Sequence, residues 1–198
     1  MNKARIEKKT DHFFFQAKLK LRLENLPPQK SLAVLDCFAG NGQIWREIKR
    51  LRPDLQIEVL SIDTKTQTEG IHLIGNNLKF LRSLNLSDFD VIDLDAYGIP
   101  FRQLQYILER RRSHDVTIYL TFIQNIFGAL PHRLLLALGY PKTMVVKIPT
   151  LFYRHGFEKL KEYLAIRGIR SIRYYCDYRH RKHYLWFIMK PALKNGQP

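Results

Sequence analysis

The chain has 198 residues, of which 45% are hydrophobic and 26% are charged, a composition that suits one compact domain and excludes wholesale disorder. Lys and Arg outnumber Asp and Glu by 33 to 18, a formal net charge of +15. Two cysteines without a CxxC pair or a nearby cluster of histidines at metal-ligand spacing exclude a disulfide framework and predict no metal site, and no apolar run suits a secretory signal or a membrane span. We therefore expect a cytoplasmic protein with no membrane partner.

The positive charge is concentrated at the two ends of the chain. Residues 1–30 carry eight basic and three acidic side chains, and residues 151–198 carry eleven and three, whereas residues 31–150 are nearly neutral. Because neutralisation of phosphates drives non-specific binding to nucleic acids, this distribution favours a polyanionic substrate. The alternative is a charged surface that only keeps the protein soluble.

The first predicted element is a short helix inside a basic N-terminal segment, residues 1–30. Leu19, Leu23 and Leu26 have the spacing of one helix face, which leaves Lys18 and Arg22 for solvent or a ligand. The two prolines that follow end this helix.

From residue 31 onward, apolar segments of strand and helix character alternate. Strands are predicted at 32–38, 57–63, 71–74, 89–95 and 115–122, and helices at 43–51 and 101–112. Strands separated by helices imply right-handed crossovers and a mostly parallel sheet with helices on both faces.

The remaining segments complete one domain over residues 31–198. Helices are predicted at 127–138 and 152–167, strands at 169–176 and 183–189, and residues 143–148 are ambiguous. The last two strands are consecutive and predict an antiparallel hairpin. The expected fold class is therefore α/β, with a mostly parallel seven-stranded sheet and a C-terminal hairpin.

The turn after the first predicted strand has the composition of a ligand-binding loop. Asp36 ends the strand, and the glycine turn, AGNG at 39–42, leads into a helix. Small residues suit a backbone that must approach a ligand closely. A dinucleotide would require GxGxxG, but Trp45 occupies the third glycine position. Asp63 ends the second strand, where a carboxylate can accept both hydroxyls of a ribose.

The strings VLDCFAGNG (34–42) and VLSID (59–63) resemble the cofactor-binding motifs of class I S-adenosylmethionine-dependent methyltransferases, over most of residues 31–122. The resemblance implies a Rossmann-like class I methyltransferase fold with S-adenosylmethionine as cofactor. It implies that the methionine moiety lies beside the glycine turn, the ribose on Asp63, and the adenine amino group near Asn76. The predicted cofactor-binding residues are Asp36, Phe38, Ala39, Gly40, Gly42, Asp63 and Asn76. The alternative is an inactive fold in which Asp36 and Asp63 only cap turns.

The fourth predicted strand delivers two carboxylates to one edge of the sheet. Asp93 and Asp95 lie near its carboxyl end, where ligands bind in open α/β sheets, and their spacing puts them on the same face. One of them is suited to accept a proton or a hydrogen bond from an exocyclic amine. The alternative is a pair of strand-end carboxylates held by backbone amides.

The segment IDLDAYGIP (92–100) is similar to the IDLDPFGSP motif of the tRNA guanine N2-dimethyltransferase family, and residues 127–141 loosely resemble that family's segment after the fifth strand. The resemblance implies that Asp95 orients or deprotonates the guanine amino group, that Tyr97 stacks on or walls the base, and that Asp93 supports the site. Ala96 replaces the motif's proline, which supplies a fixed backbone carbonyl in many amino-methylating enzymes. The family's larger C-terminal domain and its N-terminal aromatic-Asn-Pro motif are not matched.

Two basic segments are candidates for substrate binding. Residues 172–186 interleave arginines with tyrosines and histidines, a mixture that can contact phosphates and stack on bases. Packing on a half-buried hairpin explains Tyr175 and Trp186 equally well. Upstream of the first strand, such enzymes often contact the cofactor carboxylate or the substrate. The predicted substrate contacts are Lys18, Arg22, Arg179, Arg181 and Lys182.

The sequence therefore predicts an S-adenosylmethionine-dependent methyltransferase that acts on nucleic acid, with guanine N2 of tRNA or another RNA amine favoured. Two alternatives stay open: a DNA or protein methyltransferase, and a catalytically inactive methyltransferase fold that serves as an RNA-binding subunit. A small domain without an appended RNA-binding module either needs a partner subunit or recognises a local feature of the RNA through its basic ends.

Overall fold

The computed structural model describes residues 14–64, 71–110, 113–124, 129–148, 150–177 and 181–191. The strands of this part of the chain are β1 (Ser31–Asp36), β2 (Gln56–Asp63), β3 (Leu73–Ile74), β4 (Val91–Leu94), β5 (Val116–Ile123), β6 (Arg173–Asp177) and β7 (Lys182–Met189). The helices are α1 (Phe15–Leu23), α2 (Gln43–Leu51), α3 (Asn77–Ser83), α4 (Phe101–Leu108), α5 (His132–Ala137), α6 (Lys142–Lys147) and α7 (Gly156–Ile166). A short 3-10 helix spans Leu86–Asp88.

The strands form one seven-stranded sheet in the order β3-β2-β1-β4-β5-β7-β6. Strands β1 to β5 pair in parallel, whereas β7 is antiparallel to both β5 and β6. The predicted fold class, with its C-terminal hairpin, is confirmed. The order reverses between β1 and β4, and the carboxyl ends of these neighbours border the crevice where ligands bind in such sheets.

Helices cover both faces of the sheet because alternate strand residues point to opposite sides. In β1, Leu32 and Val34 join the core under α1 and α2, and Leu35 joins the larger core under α3, α4, α5 and α7. Both cores are apolar, and they hold the strand ends in fixed positions.

The helix predicted at 43–51 is observed with the same bounds. Gly42 precedes it in a left-handed conformation (φ +67°), and Pro53 follows two residues after its end. Helix α3 was not predicted, because seven residues contain less than two turns of apolar periodicity. The ambiguous segment at 143–148 belongs to α6.

In the C-terminal part of the chain, several predicted boundaries of helices and strands differ from the observed ones. Helix α7 begins at Gly156 rather than 152, and β6 begins at Arg173 rather than 169. Ile169 instead belongs to the turn that closes α7, where its N–H donates to the Leu164 carbonyl at 2.9 Å. The helix predicted at 127–138 begins at His132, and residues 125–128 lie outside the described residues.

Candidate active site

The glycine turn is attached to the end of β2 by two hydrogen bonds. The N–H of Ala39 donates to the Ile62 carbonyl at 3.1 Å, and the N–H of Gly40 donates to Asp63 Oδ2 at 2.8 Å. Gly40 has a left-handed φ of +58°, and a Cβ added there would meet no atom within 4 Å. The backbone conformation, and not crowding, therefore requires glycine, and the turn leaves its surface open to a ligand.

Asn77 braces the same turn from α3, a contact that the sequence did not predict. Its Nδ2 donates to the Cys37 carbonyl at 3.1 Å, and its Oδ1 accepts from Gln103 Nε2 at 2.8 Å. The preceding Asn76 caps α3, since its Oδ1 accepts from the Leu78 N–H at 2.9 Å. Its contact with an adenine stays a prediction.

Asp36 ends β1 as a buried carboxyl group beside the glycine turn. Its Oδ1 accepts from the Phe38 N–H at 3.3 Å, and it lies opposite Asp93 in the β1–β4 register. Burial and, next, the nearby charge of Asp93 raise the pKa of Asp36 well above its usual range. A cationic ligand beside this carboxyl would favour its ionised form.

Arg22 forms a bidentate salt bridge with Asp93 in the interior. Arg22 Nε donates to Asp93 Oδ2 at 2.8 Å and Nη2 to Oδ1 at 2.7 Å, and Trp45 Nε1 adds a third hydrogen bond at 3.0 Å. Arg22 is 2% exposed and Asp93 1%. The predicted exposure of Arg22 is therefore wrong, because β4 supplies a buried carboxylate that helix periodicity alone could not reveal.

The arginine also packs on β5. Its guanidinium carbon lies 5.1 Å from the Tyr119 ring centroid, and Tyr119 Oη donates to the Asn25 carbonyl at 2.8 Å. These contacts attach α1 and the residues just after it to the middle of the sheet.

Asp95 lies at the end of β4 in an ion pair with Lys18. Lys18 Nζ is 2.8 Å from Asp95 Oδ1, and Arg22 Nη2 is 3.5 Å from Oδ2. Both side chains are largely buried, at 16% and 10% exposed. The sequence predicted that Lys18 faces solvent or a ligand. In the structure it instead forms an ion pair with Asp95, the second carboxylate at the end of β4.

One cleft, which we call the central cleft, brings together seven of the fifteen predicted site residues. It is lined by predicted residues from α1, the glycine turn, β1 and β4, namely Lys18, Asp36, Phe38, Ala39, Gly40, Asp93 and Asp95. Phe15 and Ile44 add apolar surface that the sequence did not assign to the site.

The turn after β4 is held by β5. Thr121 Oγ1 donates to the Ala96 carbonyl at 2.7 Å, and the Gly98 N–H donates to the same carbonyl at 3.1 Å. The Ile123 N–H donates to the Gly98 carbonyl at 3.1 Å. Tyr97 projects from this turn and is 72% exposed. The Ala96 carbonyl therefore already has two donors.

The predicted basic residues of the hairpin contact elements on opposite faces of the sheet. Arg181 stacks on Tyr153, just before α7, with its guanidinium carbon 3.5 Å from the ring centroid. Lys182 Nζ lies 4.6 Å from the centroid of Phe14, just before α1. Arg179 lies outside the described residues.

Among the described residues, no group of three or more His, Cys, Asp or Glu side chains could hold a metal ion. Within the same ranges, no helix combines the length and apolar character that crossing a bilayer requires.

No protein-family model matches the chain, and no curated protein matches its sequence. Solved structures do match. An S-adenosylmethionine-dependent methyltransferase from Archaeoglobus fulgidus is 15% identical, with a TM-score of 0.53 and coverage of 90% of this chain and 97% of the other. Precorrin-6y C5,15-methyltransferase from Geobacter metallireducens is 14% identical, with a TM-score of 0.52 and coverage of 95% and 93%.

A third structure comes from Plasmodium falciparum, a protein assigned as a ribosomal RNA methyltransferase. It is 14% identical, with a TM-score of 0.51 and coverage of 94% of this chain and 99% of the other. The chain covers only about two thirds of the length of some other matched structures. At these identities the likeness concerns the fold alone: the chain has the Rossmann-like fold of the class I methyltransferases.

Proposed function

We propose that the chain is an S-adenosylmethionine-dependent methyltransferase that acts on an exocyclic amine of RNA, with guanine N2 of tRNA as the favoured target. The observation that carries this proposal is the position of Asp95. Its carboxylate lies at the end of β4, in the same cleft as the glycine turn, and Lys18 Nζ holds it at 2.8 Å. A hydrogen-bond acceptor for an amine and an open cofactor turn therefore share one cleft.

The residues around the turn fit the proposed cofactor. Asp36 is a buried carboxyl at the cleft, which suits the ammonium group of the methionine moiety, and the open backbone at Gly40 suits its close approach. Asp63 is proposed to accept the ribose hydroxyls while it also holds the Gly40 N–H. When bound, the cofactor supplies an electrophilic methyl group on a sulfonium.

Asp95 is the residue that we propose handles the substrate amine. With the cofactor bound, the amine nitrogen would take the methyl carbon as that carbon leaves the sulfur, and the nitrogen would gain positive charge. The Asp95 carboxylate accepts a hydrogen bond from the amine and takes the proton that the nitrogen loses. Because the Ala96 carbonyl already accepts from Thr121 and Gly98, Asp95 is the better acceptor at this edge.

RNA is favoured as the substrate class by charge at the same edge of the sheet. Arg181 and Lys182 begin the strand that enters the sheet there, and Tyr97 is exposed in the turn after β4, where it can stack on a base. Both ends of the chain are strongly basic. One structure with this fold is assigned as a ribosomal RNA methyltransferase, which is consistent with the proposal.

The test is transfer of tritium from methyl-labelled cofactor to separate pools of tRNA, rRNA, DNA and protein, followed by identification of the labelled nucleoside. We expect label in N2-methylguanosine of the tRNA pool. Asp95→Asn should lower kcat by about 10² to 10⁴ while cofactor affinity is kept. Asp115→Asn is the matched control, since this exposed carboxylate at the start of β5 pairs only with Lys190 among the described residues.

The other outcomes identify the alternatives. Label in DNA or protein would contradict the proposed RNA substrate and would favour a DNA or protein methyltransferase. An absence of transfer to every pool, together with tight binding of cofactor and RNA, would indicate a catalytically inactive RNA-binding subunit.

A further inference from the structure

A second pocket opens at the same edge of the sheet, and part of its lining comes from the basic and aromatic segment at 172–186. We call it the α7 pocket. Its walls are the turn before α7, the first turn of α7 and the facing ends of β6 and β7. The side chains used below are Tyr153, Arg154, Phe157, Tyr174, Arg181 and His183.

The α7 pocket opens at the same strand-end edge as the central cleft, but towards the face of the sheet that α7 covers, whereas Lys18 lines the central cleft from the α1 face. Because β7 is antiparallel to β5, the start of β7 lies at the carboxyl end of β5, and Ile123 pairs with Lys182. The Gln124 N–H donates to the Arg181 carbonyl at 3.3 Å, which closes the ladder at this end. β7 is two strands from β4, so the lateral offset across the sheet is about 10 Å, and the two sites also face opposite sides of it. A strand of RNA that crosses this edge therefore brings a neighbouring nucleotide, and not the target itself, to the α7 pocket.

The floor of the pocket is aromatic and uncharged. Phe157 and His183 stack with centroids 3.8 Å apart and planes inclined by 11°. Burial lowers the pKa of His183 to about 4, so its ring is neutral at physiological pH. Tyr174 meets Phe157 edge-on at 4.9 Å and is 42% exposed. An exposed aromatic ring above a rigid aromatic pair is a surface on which a base can stack.

Two arginines give the rim a positive charge. Arg181 is held by its stack on Tyr153, and its left-handed backbone (φ +49°) fixes the direction in which the side chain leaves the strand. Neither Arg181 nor Arg154 forms an ion pair with a carboxylate in the described ranges. The carboxylate among the residues that line the pocket, Glu158, pairs with Lys161 at 2.7 Å. A guanidinium that is held by a stack on an aromatic ring, with no carboxylate partner among the described residues, suits a phosphate.

We propose that the α7 pocket binds a nucleotide of single-stranded RNA that neighbours the target, with its phosphate on Arg154 and Arg181 and its base against Tyr174. The proposal rests on the proposed function and deepens it, because it assigns the structural class of the RNA. A base can stack on a protein ring only when it is outside a duplex, so the pocket selects loops or unpaired strands.

The first test is the binding of a fluorescent single-stranded RNA of about twelve nucleotides over a series of salt concentrations. The variant Arg154→Gln/Arg181→Asn removes both guanidinium groups, and Asn tolerates the left-handed backbone. We expect about tenfold weaker binding and a slope of log affinity against log salt that is smaller by about 0.7, the value for one neutralised phosphate on a single strand. Arg170→Gln is the matched control, an exposed arginine beyond the other end of α7.

The second test concerns the base. Tyr174→Leu removes the ring and should weaken binding about tenfold, whereas Tyr174→Phe keeps the ring and should bind like the wild type. RNA that carries 4-thiouridine should cross-link, on irradiation, to peptides that contain Tyr153 or Tyr174. Equal loss of affinity for double-stranded RNA in these variants, or cross-links confined to other peptides, would overturn the proposal.

Methyl transfer separates this inference from the proposed function. In the double arginine variant we expect a higher KM for RNA, with kcat and cofactor affinity unchanged. If the wild type methylates RNA and the variant keeps its KM, the pocket assignment fails and the proposed function stands. If the variants lose RNA binding while the wild type transfers no methyl group, the RNA site stands and the methyltransferase function fails. If the wild type does not bind RNA, both fail.

Discussion

Arg22 and Asp93, 71 residues apart in sequence, share two hydrogen bonds of 2.8 and 2.7 Å in the buried centre of the molecule. The salt bridge fixes α1 against β4, and Lys18, one helical turn earlier, thereby lies on Asp95. One helix thus holds both carboxylates of the β4 motif. The stability of the fold and the geometry of the candidate site depend on the same contact.

The first prediction concerns this salt bridge. Arg22→Met leaves the Asp93 carboxylate buried without its main partner, so the free energy of unfolding should fall by about 3 to 5 kcal/mol, measured by urea denaturation. Arg22→Met/Asp93→Leu removes both charges and should regain much of the loss. Arg50→Met, which breaks an exposed pair with Glu47, should leave the urea midpoint almost unchanged, because solvent screens that pair. A double variant no more stable than the single one would contradict the explanation.

The second prediction concerns the ribose. Asp63→Ala removes the proposed acceptor of the ribose hydroxyls and also frees the Gly40 N–H, so affinity for S-adenosylhomocysteine should fall about ten- to hundredfold by calorimetry. Asp63→Asn keeps an oxygen for Gly40 and should lose less. Asp54→Ala, on the exposed turn before β2, is the control. Unchanged affinity in Asp63→Ala would refute the ribose role.

The third prediction is a pH dependence of cofactor binding through Asp36. Burial and the charge of Asp93 raise the pKa of this carboxyl, and only its ionised form attracts an ammonium group. Affinity for S-adenosylhomocysteine should therefore be greatest above the raised pKa and should fall as the pH decreases through it. Asp36→Asn should bind more weakly at high pH and lose this dependence. If the wild type and Asp36→Asn titrate in parallel, another group is responsible.

The fourth prediction is a pH dependence of stability through His183. Its folded-state pKa of about 4 lies below the ordinary value of 6.5, so the unfolded chain binds the proton more readily. The neutral ring's stabilisation is fully present above about pH 6.5 and is lost as the pH falls towards about 4. After allowance for solvent screening, the loss is on the order of 2 kcal/mol.

The matched variant for this prediction is His183→Phe, which can keep the stack on Phe157 but cannot titrate. Urea denaturation between about pH 4 and about pH 7 should give a flatter dependence for this variant than for the wild type. Equal slopes would assign the acid sensitivity to another group.

The features that the sequence predicted correctly depend mostly on residues that are close together along the chain. The glycine turn and α2 follow from residues within a few positions of each other, since Gly42 and Pro53 mark the ends of the helix. The two carboxylates of β4 were predicted at the right edge of the sheet, because strand polarity alone determines that position.

The features that the sequence missed depend on distant residues. Helical spacing predicted solvent exposure for Arg22, because its partner comes from a strand 71 residues later. Asn77 supports the glycine turn across 40 residues. The α7 pocket combines Tyr153 with Arg181 from separate elements, and neither carries a signature that predicts the other.

The position of α1 against the C-terminal strands also determines when this helix can pack during folding. Phe14 lies 5.9 Å from the Tyr184 ring, and Glu24 accepts a hydrogen bond from Tyr175 at 2.9 Å, so the first helix rests on the last two strands. A chain emerging from the ribosome exposes its N-terminus first, yet that helix cannot dock until β7 has been synthesised. Contacts this remote in sequence also slow folding. Lys18 can therefore reach its final position on Asp95 only after β7 has been synthesised, so the central cleft is among the last parts of this domain to form.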